Sequence, residues 1–513
     1  MTSTSLPTQP EPLPATPPRS LARVATLSTA VLAVVASVLL VAGCASPGPQ
    51  AAPAVLRSPT DLGLTGATSP AVASQWWQAF GDAELNALVG RALADQPSLQ
   101  LARARLARAS AGVAAVRGED GPQVALNASA TRQHYSAHGL VPYPVAGNLW
   151  NSADVTVGLG WDLDLWGRQQ AALAAALGNE RAAQAEAAAV GNALAAQIVR
   201  GYVGLARLVA QREVAARNLA QRDEMLGLIR QRVAAGLDTR VELRQGEAAL
   251  PDTRVTIESL DEQIRLARHQ LAALAGQAPQ ALDGLNPQLA ALKAGPDGAS
   301  PPGLDLLGRR PDVVAARWRV EAASQDVAAA RTRFYPDVRL SAFVGLSALG
   351  LDRLIDLDSR TYGAGPALRL PIFEGGQLRA QLQGKSAERD AAIAQYNQTV
   401  VDAVREAADA LTSQASLQRQ RAEQAQAQAG VEAAYDLAQQ RYRAGLGNYL
   451  LVLNAESQVL AQRRLGVDLA ARTLDTQAAL MKALGGGWTP TTPPAAPAAP
   501  ASPAASSATL AAR

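Results

Sequence analysis

Four groups of residues in this chain are of types that can do chemistry. Cys44, the chain's one cysteine, directly follows Val41-Ala42-Gly43; His134 and His138 stand at i, i+4; Asp162 and Asp164 are next-but-one neighbours; glycines cluster at Gly375-Gly376 and Gly485-Gly486-Gly487. The matching chemistries are an acylated thiol, a two-histidine metal site, a carboxylate acid/base pair and a phosphate loop. The histidines lie in a Pro/Gly-rich stretch between two alternating runs and read as a solvated loop. The aspartates fall on one face of such a run and read as a polar wall. The glycine clusters lack the strand, the spacing and the lysine of a phosphate loop, so they punctuate helices. With one cysteine and three histidines there is little material for disulfide frameworks, zinc fingers or Cys/His catalytic pairs, so neither an enzyme nor a bound metal or cofactor is expected.

Cys44 remains. No charged residue occurs from Val24 to Gly43, a stretch long enough to span a bilayer. A cysteine after small residues at its end resembles the lipobox of bacterial lipoproteins, which implies a signal peptide over 1–43, cleavage, and a covalent lipid on Cys44. Residues 44–75 then form a linker. Residues 489–513 form a Pro/Ala/Ser tail that cannot bury a core and is predicted to be disordered.

The elements between these ends are unusual. Aromatic residues make up 4% and charged residues 18% of 513 positions, with net charge +3 and basic residues spread along the chain, so nucleic acid is not implied. No proline occurs between Pro144 and Pro251 or between Pro371 and Pro490, although the chain has 31. A helix from Arg168 to Ala235 would reach about 100 Å. Its apolar stripe (Leu194, Ile198, Tyr202, Leu205, Val209, then Leu226, Ile229, Val233), flanked by alanines, has the spacing of supercoiled helices packed closely. Pro251 falls inside the predicted return helix and marks an expected kink.

Period-2 runs supply the strands. Val155, Val157, Leu159, Trp161, Leu163 and Leu165 alternate with Asp154, Thr156, Asp162 and Asp164. Val338 to Leu346 alternate with Asp337, Arg339, Ser341 and Gly345, and Tyr362 to Ile372 with Thr361, Gly363 and Arg369. Strands are therefore predicted near 122–132, 153–166, 336–346 and 361–373. Runs of about ten residues suit a tilted strand crossing a bilayer, and Trp166, Phe334, Tyr335 and Phe373 at their ends suit an interfacial aromatic belt.

The chain also repeats at a period near 209. Arg232-Val-Ala-Ala-Gly-Leu237 matches Arg441-Tyr-Arg-Ala-Gly-Leu446, and Pro122 to Leu126 matches Pro336 to Leu340. Two copies, 76–276 and 303–488, flank a linker at 277–302 with five prolines. Four membrane strands leave two edges that hydrocarbon does not tolerate, so the chain must oligomerise; two copies give eight strands around an interior filled by side chains, and three give twelve strands and a lumen. The fold class expected is mainly α with membrane β, a long helical barrel continuous with a β-barrel. Asp154, Asp162, Asp164, Arg339 and Arg369 would line the lumen.

At this point the motifs resemble a family. Trp76-Trp-Gln-Ala-Phe-Gly-Asp-Ala-Glu-Leu-Asn-Ala-Leu88, Trp161 to Arg168, Arg309-Arg-Pro-Asp312, Phe334-Tyr-Pro336, Leu370 to Gly376 and Arg441 to Gly445 are similar to motifs of outer-membrane efflux lipoproteins of the OprM and NodT type, relatives of TolC. The resemblance implies a homotrimer in the bacterial outer membrane. It further implies a periplasmic tunnel, and a role as exit duct of a tripartite pump with a periplasmic adaptor and an inner-membrane transporter of the resistance-nodulation-division (RND) class. It also implies a periplasmic gate near the turns Gly236–Leu243 and Gly445–Val452. The family's acidic ring is replaced here by Leu451 and Asn454, so an apolar, amide-lined constriction is expected, with Glu242 and Tyr442 as the closing link. The rival reading is a periplasmic lipoprotein scaffold or pump adaptor without a channel, which would not need two copies of an amphipathic strand pair.

Overall fold

The computed structural model describes residues 47–49, 52–57, 61, 72–294 and 306–490. The segment expected as a signal peptide, Cys44 and the tail beyond Pro490 lie outside them. The described chain is mainly helical with one four-stranded sheet. Its elements run α1 (Ala83–Asp95), α2 (Pro97–Glu119), β1 (Gln123–His134), β2 (Leu149–Leu163), α3 (Arg168–Ala234), α4 (Arg240–Leu274), a single helical turn at Leu306–Arg309, α5 (Pro311–Thr332), β3 (Asp337–Leu349), β4 (Arg360–Arg369), α6 (Gln377–Arg443) and α7 (Tyr449–Ala483). Short 3-10 turns flank them. Helices α3 and α6 have 67 residues each, and α4 and α7 have 35 each.

Two compact units result. One holds the strands (residues 120–168 and 328–385), the other most of the helices (53–119, 169–327 and 386–490). In the helical unit, the opening motif seats Trp76, Trp77, Phe80, Leu85 and Leu88 against the stripe of α3, with Leu260, Ile264 and Leu271 of α4 and Leu474 and Ala478 of α7 completing the core. Asp82 does two things there. Its carboxylate caps α1 by accepting from the Leu85 amide at 3.0 Å, and it accepts from the hydroxyl of fully buried Tyr202 at 2.9 Å. The rest of α3 packs through small residues: Ala171, Ala175, Gly178, Ala182 and Ala185 recur every three or four positions and are buried. A β-carbon on Gly178 would stand 3.0 Å from that of Ala322, so α3 and α5 approach backbone to backbone. On α6 the buried positions Ile393, Val400 and Ala407, with Ala403, Ala410 and Leu417, keep a strict seven-residue spacing. Helix α4 continues through Pro251.

The sheet is antiparallel throughout, in the order β1-β2-β3-β4, with β1 and β4 as its edges. Strand limits differ from the predicted ones mainly at chain ends. β2 stops at Leu163, leaving Asp164 and Leu165 beyond the strand, and β4 stops at Arg369, which pairs with Asp337, the first residue of β3.

Candidate functional site

Register decides what the sheet can do. Val124, Leu126 and Ala128 of β1 pair with Leu159, Val157 and Val155 of β2; these pair with Ala342, Val344 and Leu346 of β3; Val344 and Ala342 pair with Tyr362 and Ala364 of β4. The alternation therefore stays in phase across all four strands, and one whole face is apolar. That face is open: Val124 is 65% exposed, Leu126 67%, Val344 61% and Leu368 71%. An apolar face this bare has no soluble core beneath it.

The opposite face carries the residues expected there. Ser347 Oγ donates to Asp154 Oδ1 at 2.5 Å across β2 and β3, and the Arg339 guanidinium stands 3.6 Å from Asp162. Arg369 ends β4 opposite Asp337, which lies 3.7 Å from Arg168. At the end of the sheet away from its hairpin loops, Trp166 stacks on Tyr335 with ring centres 5.1 Å apart and donates to the Pro336 carbonyl at 2.7 Å. Phe373 is exposed, whereas Phe334 is buried. His134 bonds the Gly147 carbonyl at 3.2 Å within the β1–β2 loop. One residue escaped the alternation read from sequence. Phe343 has the parity of Arg339 and Ser341, so an aromatic ring stands on the polar face; counting parity through the run would have found it.

In the helical unit the second set of functional candidates gathers around two helix-to-helix turns. Gly236 and Gly445 have φ of 73° and 76°, and the amides of Leu237 and Leu446 reach back to the carbonyls of Arg232 and Arg441 at 2.9 and 2.8 Å. Each repeated Arg-x-x-x-Gly-Leu segment is thus a left-handed glycine stop. Thr239 and Asn448 then cap α4 and α7, accepting from the amides of Val241 and Leu451.

Tyr442 is fully buried, and its hydroxyl donates to Asp238 Oδ2 at 2.5 Å. Arg232 donates to the same carboxylate from Nε at 2.9 Å and from Nη2 at 3.3 Å, and its guanidinium lies 4.7 Å from the centre of the Tyr442 ring. Burial alone would push the Asp238 carboxyl up, but the hydrogen bonds from Arg232 and Tyr442 hold it below its usual range. Burial and the Asp238 hydrogen bond both raise the Tyr442 hydroxyl, which stays neutral. Glu242 is elsewhere: it accepts from the Thr239 hydroxyl and from the Thr239 amide at 2.9 Å, closing a capping box, and the Thr239 hydrogen bond lowers its carboxyl. The partner of Tyr442 is therefore Asp238, not Glu242. Leu451 and Asn454 lie in the first turns of α7, both exposed. Among the large apolar side chains exposed about the turns are Leu237, Val241, Leu446, Leu450 and Leu451.

A further polar cluster, further along the same helices, is hard to see in sequence. Glu456 of α7 accepts from Arg222 Nε at 2.7 Å and Asn218 Nδ2 at 2.5 Å, while Arg222 Nη1 reaches Thr253 Oγ1 of α4 at 2.9 Å. Asn218 and Arg222 do interrupt the apolar stripe of α3 at i, i+4, which is the one available signal.

With this geometry in view, the comparisons with known proteins agree. The sequence pattern of the family described as Outer membrane efflux protein matches residues 88–277 and 304–486. The chain is 39% identical over 375 residues to the fusaric acid resistance protein FusA of Burkholderia cepacia, covering 71% of this chain and 70% of that one. It is 31% identical over 471 residues to the multidrug resistance outer membrane protein MdtP of Escherichia coli (strain K12), covering 89% and 96%. Among solved structures it superposes on the outer membrane protein VceC of Vibrio cholerae with a TM-score of 0.77 at 36% identity, covering 81% of this chain and 99% of that one. On the outer-membrane channel OprN the TM-score is 0.76 at 29% identity, covering 87% and 100%.

Proposed function

Because this chain belongs to the outer membrane efflux protein family, we propose that it is the outer-membrane exit duct of a tripartite efflux system, conducting drugs or other small molecules passively from periplasm to exterior. The observation that carries this reading is the sheet: four strands of 10 to 15 residues, alternating in phase, with an exposed apolar face and two open edges. Open edges cannot stay unpaired in hydrocarbon, so copies of the chain pair β4 of one with β1 of the next. Three copies make a twelve-stranded barrel with a lumen. Asp154, Asp162, Arg339 and Arg369 line it, with Asp164 at its helix-side rim. The β1–β2 and β3–β4 loops then face outward, and the aromatic end of the sheet lies at the inner interface. Equal lengths of α3 and α6, and of α4 and α7, support a duplicated half-domain. Cys44 carries the lipid that anchors the chain in addition to the barrel.

The turns at Gly236 and Gly445 form the periplasmic mouth. There the Arg232–Asp238–Tyr442 latch holds α3 and α4 to α6 in the closed state, Leu451 and Asn454 narrow the opening, and Glu242 keeps its own helix end in order. The exposed leucines of both turns are the apolar contact for a periplasmic adaptor, through which an RND-type inner-membrane transporter delivers cargo. A scaffold or adaptor without a channel has no use for the bare sheet face.

Thiol labelling of the assembled protein in cells tests the duct. Asp162→Cys and Arg369→Cys react with small water-soluble reagents, and Val157→Cys and Leu340→Cys do not. Equal reactivity on both faces would overturn the barrel. Trimer migration that collapses on heating, together with single-channel conductance, separates duct from scaffold.

A further inference from the structure

The polar face of the sheet is floored with glycine. Gly158 and Gly160 of β2, Gly345 of β3, and Gly363 and Gly365 of β4 all share the parity of Asp162 and Arg339. Two of them lie beneath large side chains of β3. A β-carbon on Gly160 would stand 2.7 Å from Nη2 of Arg339, and one on Gly363 would stand 2.8 Å from Cε1 and 3.0 Å from Cζ of Phe343. No side chain could occupy either glycine without displacing the group above it. Arg339 thus leans onto β2 and Phe343 onto β4, each lying along the wall instead of pointing away from it.

Phe343 is the more consequential of the two. Trp150 and Leu349 share its face but stand at the loop end of the strands, whereas Phe343 sits near the middle, opposite Gly158 on one side and Gly363 on the other. It is 45% exposed, and away from the loop end the rest of this face is built of small and polar groups. We propose that Phe343 and Gly363 together set the bore of the duct at mid-height. Gly363 is the pad that lets the ring lie flat, and the ring is the apolar surface that planar aromatic solutes touch as they pass. This rests on the duct reading above, in which this face lines the lumen. Repetition around a three-fold axis places three such rings at one level. Any side chain at position 363 lifts each ring toward the axis, so one methyl-sized change narrows the duct three times over.

The experiment reads passage from outside, where the periplasmic mouth does not limit it. Arg339→Cys, on the same face and four residues before Phe343 in β3, supplies a thiol below the ring, and the parent chain controls for Cys44. Intact cells are labelled with a small maleimide and with one bearing a bulky hydrophilic group, in chains confirmed as assembled trimers. Gly363→Val slows the bulky reagent severalfold and leaves the small one unchanged. Phe343→Ala speeds the bulky reagent, and the double variant behaves as Phe343→Ala alone. Gly363→Ala gives the same pattern at smaller amplitude and replaces the valine variant if that one does not assemble. If the substitution at Gly363 slows labelling equally with and without Phe343, or Phe343→Ala changes nothing, the pad-and-ring device is overturned while the duct stands. If neither reagent reaches the introduced thiol in any assembled variant, the lumen assignment itself falls.

Discussion

The turns at Gly236 and Gly445 share a backbone and differ in what holds them. Both end a 67-residue helix, both use a glycine at φ near 75°, and both hand over to a capped 35-residue helix. The first contains Asp238, half-buried between Arg232 and Tyr442. The second runs Gly445-Leu446-Gly447-Asn448, carries no acid, and leaves Leu446 70% exposed. Leu237 of the first turn is 65% exposed as well, so both turns present an apolar surface and only the first adds a polar lock that reaches across to α6. The difference lies in side chains, so side-chain substitutions should separate the turns and backbone substitutions should not.

The largest effect is expected from Asp238→Ala. It strands the Arg232 charge, whose side chain is 13% exposed, and removes the acceptor of Tyr442. Losing one partner of so enclosed a pair costs about 3 kcal/mol. Hydrogen exchange at the first turn should rise by a corresponding factor, with higher resting conductance, while exchange at the second turn stays near its original rate.

Tyr442→Phe removes a single hydrogen bond to a charged acceptor, about 1.5–3 kcal/mol at most. Adding Glu242→Gln should change resting conductance no further, because Glu242 bonds Thr239 and not Tyr442. A double variant that opens more than Tyr442→Phe would return Glu242 to the lock.

Alanine at either glycine stop should cost about 1 kcal/mol, and the same at both, since the left-handed strain is equal. Thermal unfolding of the paired variants checks this; unequal shifts would show that the turns differ in backbone as well as in side chains.

The smallest effect within the ordinary range is that of pH. The folded Asp238 carboxyl is lowered, so its contribution is fully present above the ordinary carboxylate value of about 3.9 and is lost as pH falls through the lower folded one. The raised Tyr442 hydroxyl keeps its bond up to alkaline pH and loses it only as pH rises through its folded value. Resting conductance should therefore be flat from pH 5 to 9, on the order of those limits, and rise below pH 4. Opening near pH 6 would mean another group controls the mouth.

Much of this was legible in the chain. Period-2 runs located the strands and their two faces, the absence of proline located helices of 67 residues, and the repeated Arg-x-x-x-Gly-Leu segments located both turns. Each of these is a local property: side-chain parity follows from the pleat, helix continuity from backbone amides, and a glycine stop from the φ it alone adopts cheaply.

What sequence left open was every pairing between distant segments. Tyr442 and Asp238 are 204 positions apart, and sequence alone points to Glu242, four residues further on, which the capping box with Thr239 holds instead. Glu456 and Arg222 are 234 apart, and nothing at either position names the other. Phe343 and Gly363 face each other only because the β3–β4 register puts them opposite. Local patterns determined which elements form and which face of each is apolar. Register and helix packing, which depend on the whole chain closing around a shared core, decided which polar groups meet.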